Sequence, residues 1–295
     1  MAVADLNLIF SDDKSELFDR VKASIKFGYE CIAISTTIDL ITPSRKKQDE
    51  KKNGQMHLVP EASLLRIPAE VLGSEKGPVK QYSRITARLA EPGGLVKLGT
   101  GEFQNYDIIA VEPTNEKMFM RACNVLDVDI ITFNLAEHQP FWLKRAQMSA
   151  AIKRGVFFEI CYSHSISDYA EKRQRFISNA IELVDLCKGK NIILSSGCKK
   201  AMNLRSPDDV LAMKHLLNMT EKQACATLTT NCRSVILRGQ SRQFAKSTIS
   251  MIPLKDLSEK DQWMVAACKN YRSKKKRKTQ ESDASLSKVK KQKIT

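Results

Sequence analysis

One strand–helix–strand unit can be read directly from this sequence, and it limits what the rest of the chain can fold into. Residues 156–161 and 191–196 are short, nearly all-apolar runs, and residues 168–188 between them repeat apolar side chains every three or four positions. That spacing forms one apolar stripe along a helix. Two such strands with a helical crossover are typical of a parallel pair that is covered on both faces. The stretch therefore predicts an α/β fold.

The ends of this central helix carry signals of their own. Ser167 or Asp168 can cap its first turn, because both side chains accept hydrogen bonds from free backbone N–H groups. Gly189 lies where the chain is expected to leave the helix through a left-handed residue.

The same alternation of strands and helices runs through most of the chain. Apolar or alternating runs predict seven strands, at residues 4–8, 31–34, 83–90, 107–111, 128–133, 156–161 and 191–196. Helical periodicity appears at residues 13–27, 115–123, 144–153, 168–188, 208–219 and 221–228. Residues 231–237 are ambiguous between an eighth strand and a last short helix. We favour the helix, because Thr230 or Asn231 can cap it.

About seven parallel strands joined by helices favour a closed, TIM-like (β/α) barrel over residues 1–240. The competing fold is an open dinucleotide-binding sheet, which carries a glycine-rich turn after its first strand. Residues 8–12 contain no glycine, so we prefer the barrel. In barrels of this kind the loops that follow the strands form the functional face.

Positive charge is concentrated near the end of the chain. The protein has 48 lysines and arginines against 33 acidic residues, a net charge of +15. Residues 240–295 hold 15 of these cations and 5 of the acids, a net of +10, so residues 1–239 are only mildly basic. This balance indicates a polyanionic partner such as nucleic acid. Residues 241–295 lack apolar patterning, and we expect a basic, largely disordered tail there.

A compact basic cluster in the tail predicts where in the cell the protein resides. The cluster consists of Lys274, Lys275, Lys276, Arg277 and Lys278, and such runs are typical of nuclear-localisation signals. The sequence has no apolar run of about 18 residues, so we expect no segment that spans a membrane. Acidic membrane surfaces also suit a basic chain, but we expect no membrane among the partners. Its first residues lack the basic start and long apolar core of a signal peptide, so we expect none.

No motif for catalysis or metal binding stands out. The four histidines, at positions 57, 138, 164 and 215, form no H-x-H or H-x-x-x-H pair, and neither a P-loop nor a G-x-S-x-G turn is present. His138 and His164 could still meet at the mouth of the barrel. The eight cysteines form no C-x-x-C pair, and we expect them to be small buried apolar residues. The sequence thus predicts no catalytic residue, no metal site and no cofactor.

Basic side chains are numerous in, or just beyond, the loops that follow the predicted strands. They are Lys117, Lys144, Arg145, Lys199, Lys200 and Arg205. Such groups neutralise phosphates, and arginine can grip them with two hydrogen bonds. Few aromatic residues accompany them, namely Phe141, Trp142 and Tyr162. We therefore expect contact with structured RNA through its phosphates rather than base recognition in a single strand.

Several segments resemble one family, the TIM-barrel protein subunit of about thirty kilodaltons shared by ribonuclease P and RNase MRP. The most specific segment is Leu-Cys-Lys-Gly-Lys-Asn-Ile-Ile-Leu-Ser-Ser at 186–196. The other similar segments lie at residues 4–8, 106–111, 126–129, 141–145, 205–209 and 230–233. The resemblance covers about residues 1–240 in register. Arg233, in the last of these segments, joins the predicted RNA-binding residues.

The resemblance implies a barrel related to the PHP phosphoesterases, which carry an H-x-H metal motif on the first strand. Here the corresponding residues are Asp5, Leu6 and Asn7, which fits a family role without catalysis. The family's RNA subunit removes the 5′ leader of precursor tRNA, and RNase MRP processes rRNA. The resemblance therefore implies a nuclear and nucleolar ribonucleoprotein. It also implies as partners ribonuclease P RNA, MRP RNA, precursor tRNA and a small protein subunit of the Pop-five type.

Three functions are therefore compared. The leading hypothesis is a non-catalytic RNA-binding subunit of ribonuclease P and RNase MRP. Its alternative is a metal-dependent phosphoesterase of the PHP barrel class, and a third is a generic nuclear scaffold. The chain differs from the familiar members of the family in its long lysine-rich tail and in His164, where a proline is more usual.

Overall fold

Strands and helices alternate along the chain in the computed structural model, which describes residues 2–40, 59–62, 67, 79–91, 98, 101–166 and 168–243. The strands are β1 (Ala4–Ile9), β2 (Cys31–Leu40), β3 (Lys80–Leu89), β4 (Ile108–Pro113), β5 (Ile130–Thr132), β6 (Phe157–Cys161) and β7 (Ile192–Ser195). The helices are α1 (Lys14–Lys26), α2 (Gly101–Gln104), α3 (Glu116–Asn124), α4 (Arg145–Lys153), α5 (Ala170–Cys187), α6 (Pro207–Ala212), α7 (Glu221–Leu228) and α8 (Thr230–Gln243). Short 3₁₀ segments occupy Tyr162–Ile166, Ala201–Asn203 and Met213–His215.

The seven strands form one parallel sheet in chain order, and its two edges meet. Leu8 of β1 forms a parallel bridge with Cys198, just beyond β7. The Gly197 N–H donates to the Asn7 carbonyl at 3.0 Å. The Ser196 N–H donates to the carboxylate of Asp5 at 3.0 Å. These contacts nearly close the sheet, so the predicted TIM-like barrel is confirmed.

Helix α8 covers the end of the barrel at which the strands begin. Its buried residues Cys232, Val235 and Ile236 pack into an apolar cluster inside the lower barrel. The other members of this cluster come from all seven strands and are Ala4, Leu6, Cys31, Ala33, Tyr82, Ile108, Ala110, Ile130, Phe157 and Ile193. Because small barrels are packed rather than hollow, this helix completes the core.

Polar contacts fix α8 in this position. Arg242 donates to the carboxylate of Asp129 at 3.1 Å and to the Tyr106 carbonyl at 3.1 Å. Arg238 donates to the Val128 carbonyl at 3.0 Å. Gly239 lies so close to strand β4 that an added Cβ would stand 2.0 Å from the Asp107 carbonyl oxygen. The helix therefore approaches the barrel floor at a point where only glycine fits.

A buried ion pair lies above this apolar layer. Arg84 of β3 and Glu159 of β6 are both fully buried, and the guanidinium contacts both carboxylate oxygens, at 2.5 and 2.6 Å. Arg84 also donates to the Leu6 carbonyl at 2.8 Å, and Ser195 donates to Glu159 at 2.7 Å. Burial raises the pKa of the Glu159 carboxyl, but the Arg84 charge outweighs burial and the pKa lies below its ordinary value. The pair links strands on opposite sides of the barrel.

Two details of the helix predictions were wrong. Helix α5 begins after Tyr169, whose side chain makes no capping hydrogen bond, so Asp168 is not the cap; Ser167 lies outside the described residues. Residues 208–219 do not form one helix, because α6 ends at Ala212 and a 3₁₀ turn follows. The favoured helix at 231–237 is confirmed and is longer than predicted. Gly189 has a φ of +65°, as expected at the end of α5.

The remaining expectations have mixed outcomes. Six of the seven described cysteines are buried, and Cys225 is partly exposed. None of the helices in the described ranges is both long and apolar enough to cross a membrane. Residues 244–295 lie outside the described residues, so the division into 1–240 and a disordered tail at 241–295 stays a prediction.

We expect Gly239→Ala to lower the free energy of unfolding by about 1–3 kcal/mol, because the new methyl group clashes with backbone. Urea unfolding followed by circular dichroism measures the change. The matched control is Gly101→Ala, since a Cβ at this helical glycine meets no atom of the described residues within 4 Å. Alanine normally stabilises a helix relative to glycine, so opposite signs are expected for the two variants. A stabilising Gly239→Ala would contradict the close approach.

We expect Arg84→Met to destabilise the protein by about 3–5 kcal/mol, because it leaves the carboxylate of Glu159 buried without its cation. Adding Glu159→Leu should restore most of the loss in urea unfolding at pH 7. Because the folded pKa of Glu159 is lowered, the ion pair stabilises at neutral pH and this contribution disappears as the pH falls through that folded value. The stability gap between wild type and Arg84→Met should therefore narrow in acid. Equal stability of the two at pH 7 would show that the pair contributes nothing.

Candidate nucleic-acid interface at the strand ends

Six of the seven predicted RNA-binding residues lie at the end of the barrel where the strands finish. Lys117 is on α3, directly after β4, and Lys144 and Arg145 are at the start of α4, after β5. The others, Lys199, Lys200 and Arg205, follow β7 and surround the Ala201–Asn203 turn. All six side chains are exposed. The parallel strands therefore bring these cations to one end of the molecule, here called the strand-end face.

Arg233 lies elsewhere. It is exposed on α8, two residues after Asn231, whose side chain donates to the Ile192 carbonyl at the start of β7 at 2.7 Å. This helix covers the beginnings of the strands, so Arg233 is at the opposite end of the barrel. The structure does not bring it together with the other six predicted residues.

The cations of the strand-end face differ in whether their side chains already form ion pairs or hydrogen bonds within the protein. Lys144 pairs with Glu116 at 2.6 Å, and both side chains are largely exposed. The guanidinium of Arg205 donates to the carbonyls of Met202 and Leu204 at 2.9 Å each, and so holds its own loop. Within the described ranges, no ion pair forms at the four remaining members, which are Lys117, Arg145, Lys199 and Lys200.

Exposed apolar side chains accompany these cations, and sequence reasoning identified only one of them. Trp142, after β5, is 82% exposed, Tyr169, after β6, 68%, and Met202, after β7, 78%. The other two predicted aromatic residues are not available on the surface. Phe141 packs against Phe119 at 5.4 Å, and Tyr162 is buried. The surface therefore offers flat apolar groups beside its cations.

A cavity of about 430 Å³ opens at the same end, inside the ring of strands. Arg84 and Thr86 line its deeper part, since they lie several residues before the end of β3, and Cys161, the last residue of β6, also lines it. The remaining lining residues are Asn7, Ile9, Phe10, Ser35, Thr36, Thr37, Arg88, Glu112, Thr132, Phe133, Asn134, His164, Gly197 and Lys199. Its walls are thus mixed, with two phenylalanines among mainly polar side chains.

The donor groups near this cavity do not fit a metal centre. Both oxygens of Glu159 are held by Arg84, and one of them also accepts from Ser195. One carboxylate oxygen of Asp5 accepts from the backbone of Asn7 and Ser196. The Arg84 guanidinium is a fixed positive charge beside this carboxylate pair. Among the described residues, no group of three or more histidines, cysteines or acids is placed to hold a metal ion.

The histidines do not form an acid–base pair. His164 lines the cavity and packs edge-on against Phe176, with ring centroids 6.3 Å apart. Burial lowers its pKa below the ordinary value, so the ring is neutral at pH 7. His138 is exposed in the loop after β5 and is not among the lining residues of the cavity. His215 lies in a 3₁₀ turn, and His57 is outside the described residues.

Comparison with known proteins agrees with this geometry. The mouse protein "Ribonuclease P protein subunit p30" is 34% identical over 270 residues, which cover 91% of this chain and 97% of that protein. "Ribonuclease P/MRP protein subunit RPP1" of Saccharomyces cerevisiae is 26% identical over 218 residues, 73% of this chain and 69% of that protein. A protein chain in a structure of archaeal ribonuclease P with mature tRNA has the same fold, with a TM-score of 0.62 at 15% identity. It covers 85% of this chain and 98% of its own length.

The family comparison spans the whole barrel. The family described as RNase P subunit p30 matches residues 2–244, from before β1 to just past the end of α8. The matched range includes the strand-end face, the cavity and the helix that closes the barrel floor. The chain therefore belongs to the RNase P subunit p30 family.

Proposed function

We propose that this chain is a non-catalytic protein subunit of ribonuclease P and RNase MRP, and that it binds their RNA through the strand-end face. Membership of the p30 family and the names of the mouse and yeast relatives support this assignment. The proposed binding mode rests on one observation. Four exposed cations lie at one end of the barrel, and none of them forms an ion pair among the described residues. Cations without a carboxylate partner are the ones available to phosphates.

The proposed role is to support the RNA in removing the 5′ leader of precursor tRNA and, in RNase MRP, in processing rRNA. The proposed partners are ribonuclease P RNA and MRP RNA, with precursor tRNA bound through the complex. A small subunit of the Pop-five type is the proposed protein neighbour. Arg233, at the opposite end of the barrel, is proposed as a separate contact from the strand-end face.

The alternative function, a metal-dependent phosphoesterase, is not favoured. Such an enzyme needs carboxylates and imidazoles that are free to bind a metal ion. Here the Glu159 carboxylate is already paired with the Arg84 guanidinium inside the barrel. The His164 ring is partly buried, and its Nδ1 has no hydrogen-bond partner within the described ranges. The generic scaffold is not favoured either, because it gives no reason for the clustering of free cations at one end.

We expect the triple variant Lys117→Ala, Arg145→Ala and Lys200→Ala to weaken binding of ribonuclease P RNA without loss of the fold. None of the three side chains has an ion pair among the described residues, so no internal contact is lost. Each phosphate contact contributes roughly one unit to the slope of log K against log salt. The slope should therefore fall by about three units in filter-binding or anisotropy titrations.

The matched control removes three cations from the other end of the barrel, with Lys26→Ala, Lys153→Ala and Lys190→Ala. These residues are exposed and lie just before β2, β6 and β7. The control should keep the wild-type salt slope, although its net charge changes equally. Equal slopes for both triple variants would place the RNA interface elsewhere. Loss of precursor-tRNA cleavage on replacing His138 and His164, with RNA binding intact, would contradict a non-catalytic role.

We further propose that the protein resides in the nucleus and nucleolus and that the tail directs it there through Lys274, Lys275, Lys276, Arg277 and Lys278. Deleting residues 270–295 should leave the melting temperature nearly unchanged, because this segment lacks apolar patterning. A fluorescent fusion of the truncated chain should spread between nucleus and cytoplasm. A control that deletes the same segment but adds an unrelated nuclear-localisation signal should return to the nucleus. Nuclear accumulation of the truncated chain without that signal would contradict the prediction.

A further inference from the structure

The cavity at the mouth of the barrel is not used by the phosphate contacts proposed above. Its volume of about 430 Å³ lies within the range of about 300–1,000 Å³ typical of small-molecule pockets. Phe10 and Phe133 form apolar parts of its wall. It opens on the end of the barrel that carries Lys200 and Arg205. A group that enters the cavity can therefore belong to a larger molecule that is bound to the strand-end face.

The charges around the cavity are balanced, which excludes a preference for phosphate. Arg84 is neutralised by Glu159. Arg88 contacts both Asp39, at 3.2 Å, and Glu112, at 3.1 Å. Lys199 is the third cation of the lining and makes no ion pair among the described residues. The three cations of the lining are thus matched in number by three carboxylates, of which Glu112 lines the cavity and Glu159 and Asp39 pair with its arginines. A cavity with this balance suits an uncharged polar ligand.

Three lining residues carry polar atoms that are buried and have no hydrogen-bond partner among the residues that the structure describes. They are Thr36 Oγ1, Asn134 Oδ1 and His164 Nδ1. A buried polar atom without a partner costs free energy, and a structure rarely keeps three around one space. Rotation about the side-chain torsions can direct a hydroxyl, an amide and a neutral imidazole towards a ligand in the cavity. Together they supply both donors and acceptors.

We propose that this cavity binds an unpaired nucleobase extruded from the RNA. A base is uncharged and flat, and it presents donors and acceptors along one edge, which matches the aromatic wall and the mixed polar groups. This inference rests on the proposed function, since cations of the strand-end face hold the phosphates on either side of the base. The protein would thus recognise one unpaired nucleotide as well as the backbone.

Two measurements on the full-length chain test the proposal. In the first, adenosine, guanosine, cytidine and uridine are each titrated into the protein and followed by calorimetry. Inorganic phosphate is then added as a competitor. At least one nucleoside should bind, and phosphate should not displace it. In the second, a stem-loop RNA carries 2-aminopurine at successive unpaired positions. One position should change its fluorescence on binding, because the base leaves its stacked neighbours.

The decisive variant is Thr36→Val, which keeps the shape of the side chain and removes a hydroxyl that has no hydrogen-bond partner in the described part of the chain. It should weaken nucleoside binding about tenfold, the loss of one good hydrogen bond, and abolish the 2-aminopurine change. The matched control is Ser24→Ala, which also removes a buried hydroxyl without a partner, but on α1 and away from the cavity. Ser24→Ala should bind like wild type, and neither variant should lower the unfolding midpoint, because no hydrogen bond within the described residues is lost.

The outcomes separate this inference from the proposed function. If RNA binds with the wild-type salt slope but no nucleoside binds and no labelled position responds, base capture is wrong and the phosphate interface stands. If phosphate binds in the cavity and displaces the nucleoside, the argument from charge balance is wrong. If nucleosides bind but RNA does not, the cavity serves a free nucleoside, which overturns both the RNA source and the proposed function.

Discussion

The barrel depends on the ion pair that fills its centre. Seven parallel strands enclose a space that must be packed, and Arg84 and Glu159 fill it at mid-height from opposite sides. Their partners, the Leu6 carbonyl and Ser195, belong to β1 and β7, where the sheet closes. A buried pair of charges is costly to desolvate, so it persists only when every donor and acceptor is matched. Here the pair binds to both strands at which the sheet closes and also fills the interior of the barrel.

The same pair divides the barrel interior into two parts with different consequences. Below it, apolar side chains and α8 form a sealed floor, and above it the polar cavity opens to the surface. A guanidinium in the middle of the barrel takes up the carboxylate that a metal ion would need. The ion pair in the interior therefore stabilises the fold. The exposed residues at the strand ends and the cavity remain open to a binding partner. This division is the arrangement expected of the non-catalytic subunit proposed here, because the groups open to a partner all lie at one end.

Much of the fold could be predicted from sequence, because buried parallel strands are recognisable as local apolar runs. Strand β2 was predicted too short, since residues 36–39 alternate between partly buried and exposed after the apolar run ends. Arg84 lies in a predicted strand, but its inward orientation depends on Glu159, which is 75 residues away. The cavity was missed for the same reason, since its lining comes from every strand region of the barrel. Local patterns define elements, whereas interior polar contacts depend on the closed topology.

The basic residues show why composition alone could not separate binding from structure. At the floor of the barrel, Arg238 and Arg242 are bonded to carbonyls and to Asp129, so their charges are used to fix α8. At the strand-end face, Lys117 and Lys200 are exposed and form no ion pair in the described part of the chain. Both groups look alike in a charge count, yet only the second can exchange counterions for phosphates. The orientation of the strands, which all finish at one end, therefore determines which cations lie at the end of the barrel where we propose the RNA contact.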